Sequence, residues 1–336
     1  MPSSAIYGCS GLRLTPQETK FFKDNNPAGF ILFARNIESS IQVIALVDEV
    51  RSAVSRDLAV LIDQEGGRVR RLKPPHWREA PSMGIFGQIF EKDRQAAIVA
   101  LELNSQILGL DLGELGINVN CLPVLDIPQQ GADPIISDRA FSTDIDLIID
   151  MGRIVIECLE SVGCLPVIKH IPGHGRALVD SHKALPIVNA THETLSENDF
   201  RPFKALSSAP FAMTAHIIYE DIDKDNVATF SDKIVRDVIR GEIGFQGLLV
   251  SDDLGMNALA GNFGERAQKT FKAGVDLALH CSGDMEEMAE VAANTPELSY
   301  EKASQFVGFL EKTKVSLDID ARELEAHYNK IVEKYL

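Results

Sequence analysis

The stretch CLPVIKHIPGHGRALVDSH, residues 164 to 182, joins a short apolar run to a polar segment. Its first five residues have the length and composition of a strand that is buried on both faces, as parallel strands are. The polar segment that follows contains three of the eight histidines of the chain, together with two glycines and a proline. A strand that ends in such side chains is typical of a parallel α/β fold, in which functional groups lie at the carboxyl ends of the strands.

Six further apolar runs of similar length alternate with amphipathic helical patterns along the chain. The runs cover residues 29–33, 58–63, 117–126, 211–216, 247–252 and 274–280, and the helical patterns cover 41–53, 94–112, 145–162, 192–206 and 232–242. This alternation of strand and helix predicts a parallel sheet, either open or closed into a barrel.

Polar residues at the ends of six of these runs favour the barrel. They are Asp63 with Gln64 and Glu65, Asp126, Lys169 with His170, His216, Asp252 with Asp253, and His280. A barrel collects functional groups from many strand ends, whereas an open sheet concentrates them near one switch point. Neither nucleotide-binding fingerprint, G-x-G-x-x-G or G-x-x-x-x-G-K-[ST], occurs. We therefore predict an α/β protein with a single (β/α)8 TIM-type barrel domain over residues 1–336, capped by two or three C-terminal helices in residues 285–336.

Composition and charge limit the partners of the chain. Its 336 residues carry a formal net charge of −16, which argues against nucleic acid and anionic membrane surfaces as partners. The five cysteines are scattered without a CxxC pair, which fits free thiols in a reducing compartment. The N-terminus has no signal-peptide pattern, and no apolar run approaches the ~20 residues of a membrane helix. We therefore expect a cytoplasmic protein.

A metal site is one interpretation of His170 and His174, whose spacing resembles that of ligands on one helix face. Pro172 lies between them and interrupts such a helix. The further spacing to His182 matches no known zinc motif. We predict no metal and no other cofactor, but a metal-dependent barrel hydrolase that uses these three histidines stays an alternative.

Two carboxylate-containing segments favour acid–base and nucleophilic chemistry instead. Asp180 and His182 are two residues apart, so the carboxylate can reach the ring in a bent loop, orient it and stabilise its charged form. Asp252 and Asp253 end a buried strand, where carboxylates are costly unless a partner or a reaction uses them. If Asp253 is the N-cap of the next helix, Asp252 remains in position for a nucleophile.

Arginine-rich segments lie at two further places. IDQEGGRVRR (62–71) and SDRAF (137–141) combine carboxylates with arginines. They predict either an ion-pair network or the recognition of hydroxyl groups by Asp63 and an arginine. Acids and cations that converge without a nucleotide motif suit a neutral, polyhydroxylated substrate.

Taken together, four motifs resemble those of family 3 glycoside hydrolases. DQEGGRVRR, SDRAF, KHIPGHG-x4-DSH and SDDLGM occur in this order, and the resemblance covers residues from about 29 to 281. More narrowly, the motifs are similar to those of bacterial β-N-acetylhexosaminidases of peptidoglycan recycling. Many family members carry a second domain after the barrel, and this chain resembles the single-domain, cytosolic branch.

The resemblance implies a role for each matched residue. Asp252 is implied to be the nucleophile, and His182 with Asp180 the acid/base dyad. The residues implied to bind the N-acetylglucosamine unit are Asp63, Arg71, Arg139, Lys169 and His170. The chain departs from the usual motif at Ile171, where phenylalanine is common, and at residues 176–178, where Arg-Ala-Leu changes the contacts of the loop.

The activity implied is that of a retaining exo-β-N-acetylglucosaminidase. Its expected partner is a small carbohydrate, N-acetylglucosaminyl-β-1,4-1,6-anhydro-N-acetylmuramic acid with or without its peptide. The enzyme is expected to be a monomer or a weak homodimer. A catalytically silent sugar-binding barrel is a second alternative, which the presence of both the aspartate and the dyad disfavours.

Overall fold

The computed structural model describes residues 1–315 and 319–335 and contains a closed barrel of parallel strands. The barrel strands in chain order are β1 (Ser3–Tyr7), β2 (Pro27–Leu32), β3 (Ala59–Ile62), β4 (Val119–Asn120), β5 (Leu165–Ile171), β7 (Phe211–Thr214), β9 (Leu248–Asp253) and β10 (Leu277–His280); β6 (Ile187–Val188) pairs with β8 (Ile218–Tyr219) outside the barrel. Within the described ranges these eight barrel strands follow the order β1-β10-β9-β7-β5-β4-β3-β2. The predicted (β/α)8 barrel is confirmed.

Helices surround this barrel. They are α1 (Pro16–Asn25), α2 (Ser40–Val54), α3 (Gly84–Lys92), α4 (Arg94–Glu114), α5 (Ile145–Ser161), α6 (His192–Glu197), α7 (Arg201–Ala205), a π-helix (Ile234–Glu242), α8 (Phe263–Lys272), α9 (Met285–Ala292), α10 (Tyr300–Glu311) and α11 (Ala321–Val332). Local sequence fixes where several of them begin. Thr15 accepts a hydrogen bond from Glu18 N, and Glu18 accepts one from Thr15 N, which is a capping box at the start of α1.

The C-terminal helices occupy two different places. Phe306 and Leu310 of α10 join the apolar cluster inside the barrel, and Phe309 packs against Phe211 at the start of β7. Helix α10 therefore closes the N-terminal end of the barrel, as the expected cap does. Helix α11 instead packs on the outside against α4. Residues 316–318 and 336 of the predicted domain and cap lie outside the described residues.

One of the predicted helical patterns is divided in the structure. Residues 192–206 form two short helices, α6 and α7, because Pro202 starts a new helix and disfavours helical backbone at the preceding residue.

Helix α4 has 21 residues and is long and apolar enough to cross a membrane by length and composition, whereas no such segment was expected from the sequence. It packs against α3, α5 and α11, and 56% of its most apolar window is buried, as in a helix of a protein core.

Candidate active site

A cavity of about 320 Å³ lies at the carboxyl end of the barrel strands. Its lining includes seven of the eight residues that the sequence analysis selected, namely Asp63, Arg71, Arg139, Lys169, His170, His182 and Asp252. The eighth, Asp180, contacts His182 from behind. A second cavity of about 420 Å³, beside Arg51 and Leu310, contains none of these residues.

One wall of the cavity is a network of buried charges. Lys169 Nζ lies 2.8 Å from Asp63 Oδ1 and 2.7 Å from Glu65 Oε1. Arg139 binds Glu65 through two hydrogen bonds of 2.8 Å, and Arg71 donates to Asp63 Oδ2 at 2.9 Å. The predicted ion-pair network therefore exists, and it faces the cavity, so the two interpretations of the arginine-rich segments describe the same residues.

The network stabilises the charged forms of Asp63, Glu65 and Lys169. Burial raises the pKa of Asp63, but Lys169 and Arg71 outweigh this effect and hold the pKa far below its ordinary range. Glu65 is more deeply buried than Asp63; burial raises its pKa, but Arg139 and Lys169 outweigh this and lower it to about 2. Burial lowers the pKa of Lys169, but the two carboxylates more than compensate, and the pKa is raised. With three cations against two carboxylates, this wall presents a net positive charge and N–H donors to a ligand.

A second buried carboxylate, Asp126, organises the two histidines that follow β5. His170 Nδ1 donates to Asp126 Oδ2 at 2.7 Å, and the backbone N–H of His174 donates to Asp126 Oδ1 at 2.6 Å. Asp126 therefore fixes the orientation of the His170 ring, whose other nitrogen remains for a ligand. In the sequence, Asp126 and Glu65 stand out only as strand-end residues, and that position is the one signal for their part in the site.

The segment after His174 is a bent loop that carries the predicted dyad. His182 Nδ1 donates to Asp180 Oδ1 at 2.8 Å, and the same oxygen accepts the backbone N–H of His182 at 2.9 Å. Burial raises the pKa of Asp180, but these two hydrogen bonds outweigh it, and the pKa lies below its ordinary value. The His182 side chain is 63% exposed, so its ring is accessible to a ligand and to water.

Contacts at three points hold this loop against the barrel. His174 Nε2 lies 3.1 Å from Ser181 Oγ, and Asn257 Nδ2 donates to the His182 carbonyl oxygen at 2.9 Å. Arg176, one of the departures from the family motif, donates to the buried Asp199 at 2.7 Å. The backbone of Gly175 lies so close to the Ile127 carbonyl oxygen that a Cβ atom there would collide with it.

The two adjacent aspartates at the end of β9 have different environments. Both line the cavity. Burial raises the pKa of Asp252, but interaction with the imidazoles of His216 and His170 in their charged forms outweighs this, and the pKa lies below its ordinary value. Asp253 Oδ1 accepts the backbone N–H groups of Gly255 and Cys281 at 2.9 and 3.1 Å. The interpretation of Asp253 as a helix N-cap is wrong, because α8 begins ten residues later with Asn262 as its cap.

Comparison with known proteins identifies the family of the chain. Residues 8–307 match the model of the glycosyl hydrolase family 3 N-terminal domain. The chain belongs to glycosyl hydrolase family 3. The family resemblance inferred from the motifs is thereby confirmed, and the protein is a glycoside hydrolase.

Individual family members are similar over most of the chain. A β-hexosaminidase from Bordetella avium is 32% identical over 285 residues, which cover 84% of this chain and 81% of that protein. One from Nitrosospira multiformis is 36% identical over 282 residues, which cover 82% of this chain and 80% of that protein.

Solved structures show the same likeness. NagZ from Neisseria gonorrhoeae in complex with N-trifluoroacetyl-D-glucosamine has a TM-score of 0.88 and 28% identity, and 98% of each chain is covered. The same NagZ in complex with zinc ion has a TM-score of 0.85 and 26% identity, with 99% of this chain and 97% of that chain covered. The family relationship therefore extends over nearly the whole of both chains.

Proposed function

We propose that the protein is a retaining exo-β-N-acetylglucosaminidase that removes terminal N-acetylglucosamine from small peptidoglycan fragments. One observation carries this proposal: a carboxylate with a lowered pKa, Asp252, and an imidazole held by a carboxylate, His182 with Asp180, border the same cavity. Two similar proteins are β-hexosaminidases, and a similar structure contains an N-acylated glucosamine, which supports this sugar as the ligand.

In the first proposed step, Asp252 attacks the anomeric carbon and forms a covalent glycosyl-enzyme. His182, in its charged form, donates its Nε2 proton to the glycosidic oxygen, and the aglycone leaves as an alcohol. Asp180 stabilises the charged ring before the proton leaves and keeps the Nδ1–H tautomer afterwards.

In the second step, the neutral ring removes a proton from water, which attacks the same carbon and releases the sugar with retained configuration. Retaining glycosidases commonly use two carboxylates ~5 Å apart for these roles. Here the exposed imidazole replaces the second carboxylate. Its exposure suits this exchange, because water must enter from the side that the aglycone has left.

The charged wall is proposed to bind the sugar. Its arginine and lysine N–H groups can donate to hydroxyl and acetamido oxygens, and Asp63 can accept from hydroxyl groups. His170, held by Asp126, adds one ring nitrogen. Because these groups already pair with one another, the wall is preorganised and loses little freedom when a sugar binds.

The substrate that we propose is N-acetylglucosaminyl-β-1,4-1,6-anhydro-N-acetylmuramic acid, with or without its peptide. We further propose that the enzyme acts in the cytoplasm as a single domain, and as a monomer or weak homodimer. The family resemblance supports these assignments, and light scattering of the purified chain tests the last of them.

Hydrolysis of an aryl N-acetyl-β-glucosaminide, compared with the matching aryl β-glucoside, tests the activity. We expect turnover of the first and at least tenfold lower kcat/KM for the second, because a site that hydrogen-bonds the acetamido group is left unpaired by its absence. Turnover of neither glycoside by the folded protein would support the silent sugar-binding barrel instead.

Metal removal tests the alternative that the three histidines bind a metal. Within residues 1–315 and 319–335, no group of three histidine, cysteine or carboxylate side chains is arranged to hold a metal ion. We expect activity to survive EDTA treatment and dialysis. Because one similar structure is a zinc complex, added zinc is the necessary control, and activity that is lost on chelation and restored by zinc would favour the metal-dependent hydrolase.

A further inference from the structure

A fully buried histidine, His216, lies behind the end of β9 and is not part of the cavity lining. It follows β7, the neighbour of β9 in the barrel. Its Nε2 is 3.0 Å from the carbonyl oxygen of Asp253, and its Nδ1 is 2.8 Å from Thr229 Oγ1. Neither the sequence motifs nor the proposed mechanism uses this residue.

The hydrogen bonds determine where each proton of this group lies. A carbonyl oxygen only accepts, so His216 Nε2 must carry the proton that bonds to Asp253. Nδ1 of the neutral ring is then an acceptor. Thr229 Oγ1 lies 2.8 Å from this nitrogen and 3.2 Å from the Ala215 carbonyl oxygen, so we assign its proton to the nearer acceptor, Nδ1. Thr214 Oγ1, 2.7 Å from Thr229 Oγ1, in turn donates to Thr229. All three side chains are fully buried, so no water competes for these positions.

The surroundings of the ring favour its neutral form. Burial lowers the pKa of His216, and the nearby carboxylates of Asp252 and Asp253 offset this only in part. His170 also lies near and opposes protonation. In this neutral form, His216 donates from Nε2 to the Asp253 carbonyl and accepts at Nδ1 from the Thr229 hydroxyl.

Asp253 connects this buried group to the cavity. Its backbone N–H donates to Asp252 Oδ1 at 2.8 Å, and its own carboxylate is tied to the Gly255 and Cys281 backbone. Its carbonyl accepts from His216 and from the backbone N–H of Met256. Residue 253, whose backbone N–H aims the Asp252 carboxylate, is thus held at its N–H, its side chain and its carbonyl, and His216 is a side-chain contact on that carbonyl, which belongs to the following peptide unit.

We propose that His216 is a positioning residue for the nucleophile: through the Asp253 carbonyl it sets the orientation of the Asp252 carboxylate, and Thr229 fixes the ring tautomer that this requires. The inference rests on the proposed function, because it assigns His216 to the attack by Asp252. It does not involve the acid/base dyad, so the two roles separate experimentally.

The test compares His216→Gln with His216→Asn. The glutamine amide can place an N–H where Nε2 lies and donate to Asp253, whereas the shorter asparagine amide can reach Thr229 only. Thr229→Val, with Thr229→Ser as its control, removes or keeps the hydroxyl that fixes the tautomer.

The main measurement is the rate of covalent inactivation by 5-fluoro-N-acetyl-β-glucosaminyl fluoride, which reports attack by the carboxylate and needs little acid catalysis. We expect His216→Asn to lower this rate about 10- to 100-fold, since a displacement of the order of 1 Å costs about that much. His216→Gln should stay within about 3-fold of wild type, and Thr229→Val should lie between the two. The inhibition constant of N-acetylglucosamine and the melting temperature are measured for each variant.

Equal losses of rate in the glutamine and asparagine variants would overturn the proposal, as would rate losses matched by equal weakening of N-acetylglucosamine binding. Long-range 1H–15N spectra of 15N-histidine-labelled enzyme give the tautomer directly, and a His216 ring protonated on Nδ1 would also refute it. If the wild-type enzyme is not labelled by the fluoride at all, the proposed function fails instead, and the tautomer measurement still judges the geometry.

Discussion

Replacement of His182 by alanine separates the two halves of the proposed reaction. His182 Nδ1 is bound to Asp180, so Nε2 is the nitrogen that can exchange a proton with the substrate. With a sugar alcohol as leaving group, loss of this acid should lower kcat/KM ~10²–10⁴-fold. With a nitrophenolate, which leaves as an anion, the first step should be nearly unaffected. The second step then limits turnover, because water has lost its base.

The contribution of Asp180 can be worked from its geometry. A carboxylate and an imidazolium about 4 Å apart interact by ~1 kcal/mol in water and by ~4 kcal/mol at an effective dielectric constant of 20. Since the His182 side chain is 63% exposed, we take ~1–2 kcal/mol, which corresponds to roughly 5- to 30-fold in rate. Asp180→Asn should lose this amount alone, because the amide oxygen still accepts both N–H groups of His182. Asp180→Ala should lose more, because the turn also loses these two hydrogen bonds.

The assay is the dependence of kcat/KM on the pKa of the leaving group across a series of aryl N-acetyl-β-glucosaminides. Both His182→Ala and Asp180→Asn should show a steeper dependence than the wild type, and His182→Ala should show a pre-steady-state burst with nitrophenyl substrates. Leu178→Ala, which changes an exposed residue of the same loop and leaves both dyad members and the loop contacts in place, is the matched control. A loss that is uniform across all leaving groups would remove His182 from the acid/base role.

Three further outcomes are expected. Asp252→Asn should abolish turnover and covalent labelling by the 5-fluoro glycosyl fluoride. Asp253→Asn keeps the side-chain oxygen that accepts two backbone N–H groups, so this variant should retain substantial activity. A label on Asp253 would reverse the assignment of the nucleophile. Arg139→Ala should lower kcat/KM more than kcat, because the arginine is proposed to bind the sugar. It should also lower the free energy of unfolding in urea by ~3–5 kcal/mol, because Glu65 loses its bidentate partner. Wild-type behaviour would contradict both the sugar-binding role and the structural role of Arg139. Burial lowers the pKa of His174 from 6.5 to about 4. Between these pH values the folded state therefore binds fewer protons than the unfolded state. The free energy of unfolding should then fall by about 3 kcal/mol as the pH drops from about 6.5 to 4. His174→Gln should flatten this pH dependence, and an unchanged profile would show that other groups cause it.

The strand-and-helix rhythm of the chain was sufficient to predict the barrel, because both-face burial gives each parallel strand a short, continuous apolar run. Strand β1 escaped this criterion, since two serines fill its first two positions and leave only three apolar residues. Strand β4 is much shorter than its apolar run, because residues 121–126 continue past the ladder and carry Asp126 towards His170.

The site was predictable where a residue type and a strand end coincide. The partners of those residues were not, because Glu65, Arg139 and Lys169 are far apart in the sequence and meet only when the barrel closes. The same holds for His216, whose two hydrogen bonds join three separate segments of the chain. Pairing across a barrel is a property of the assembled fold, so a single sequence shows the groups and not the contacts.

The proposed acid/base group, His182, lies on a surface loop, whereas the proposed nucleophile, Asp252, lies at the end of a barrel strand. The two groups therefore differ in how freely the backbone that carries them can change in length. Strand β9 cannot change in length without shifting its register against β7 and β10. The loop segment around Leu178, which is 67% exposed, can accept insertions or deletions at little cost in stability. Evolution can therefore exchange this segment as a module and alter the leaving groups that are accepted while the sugar pocket stays the same. Grafting a relative's loop onto this barrel would be a direct route to enzymes with new aglycone preference.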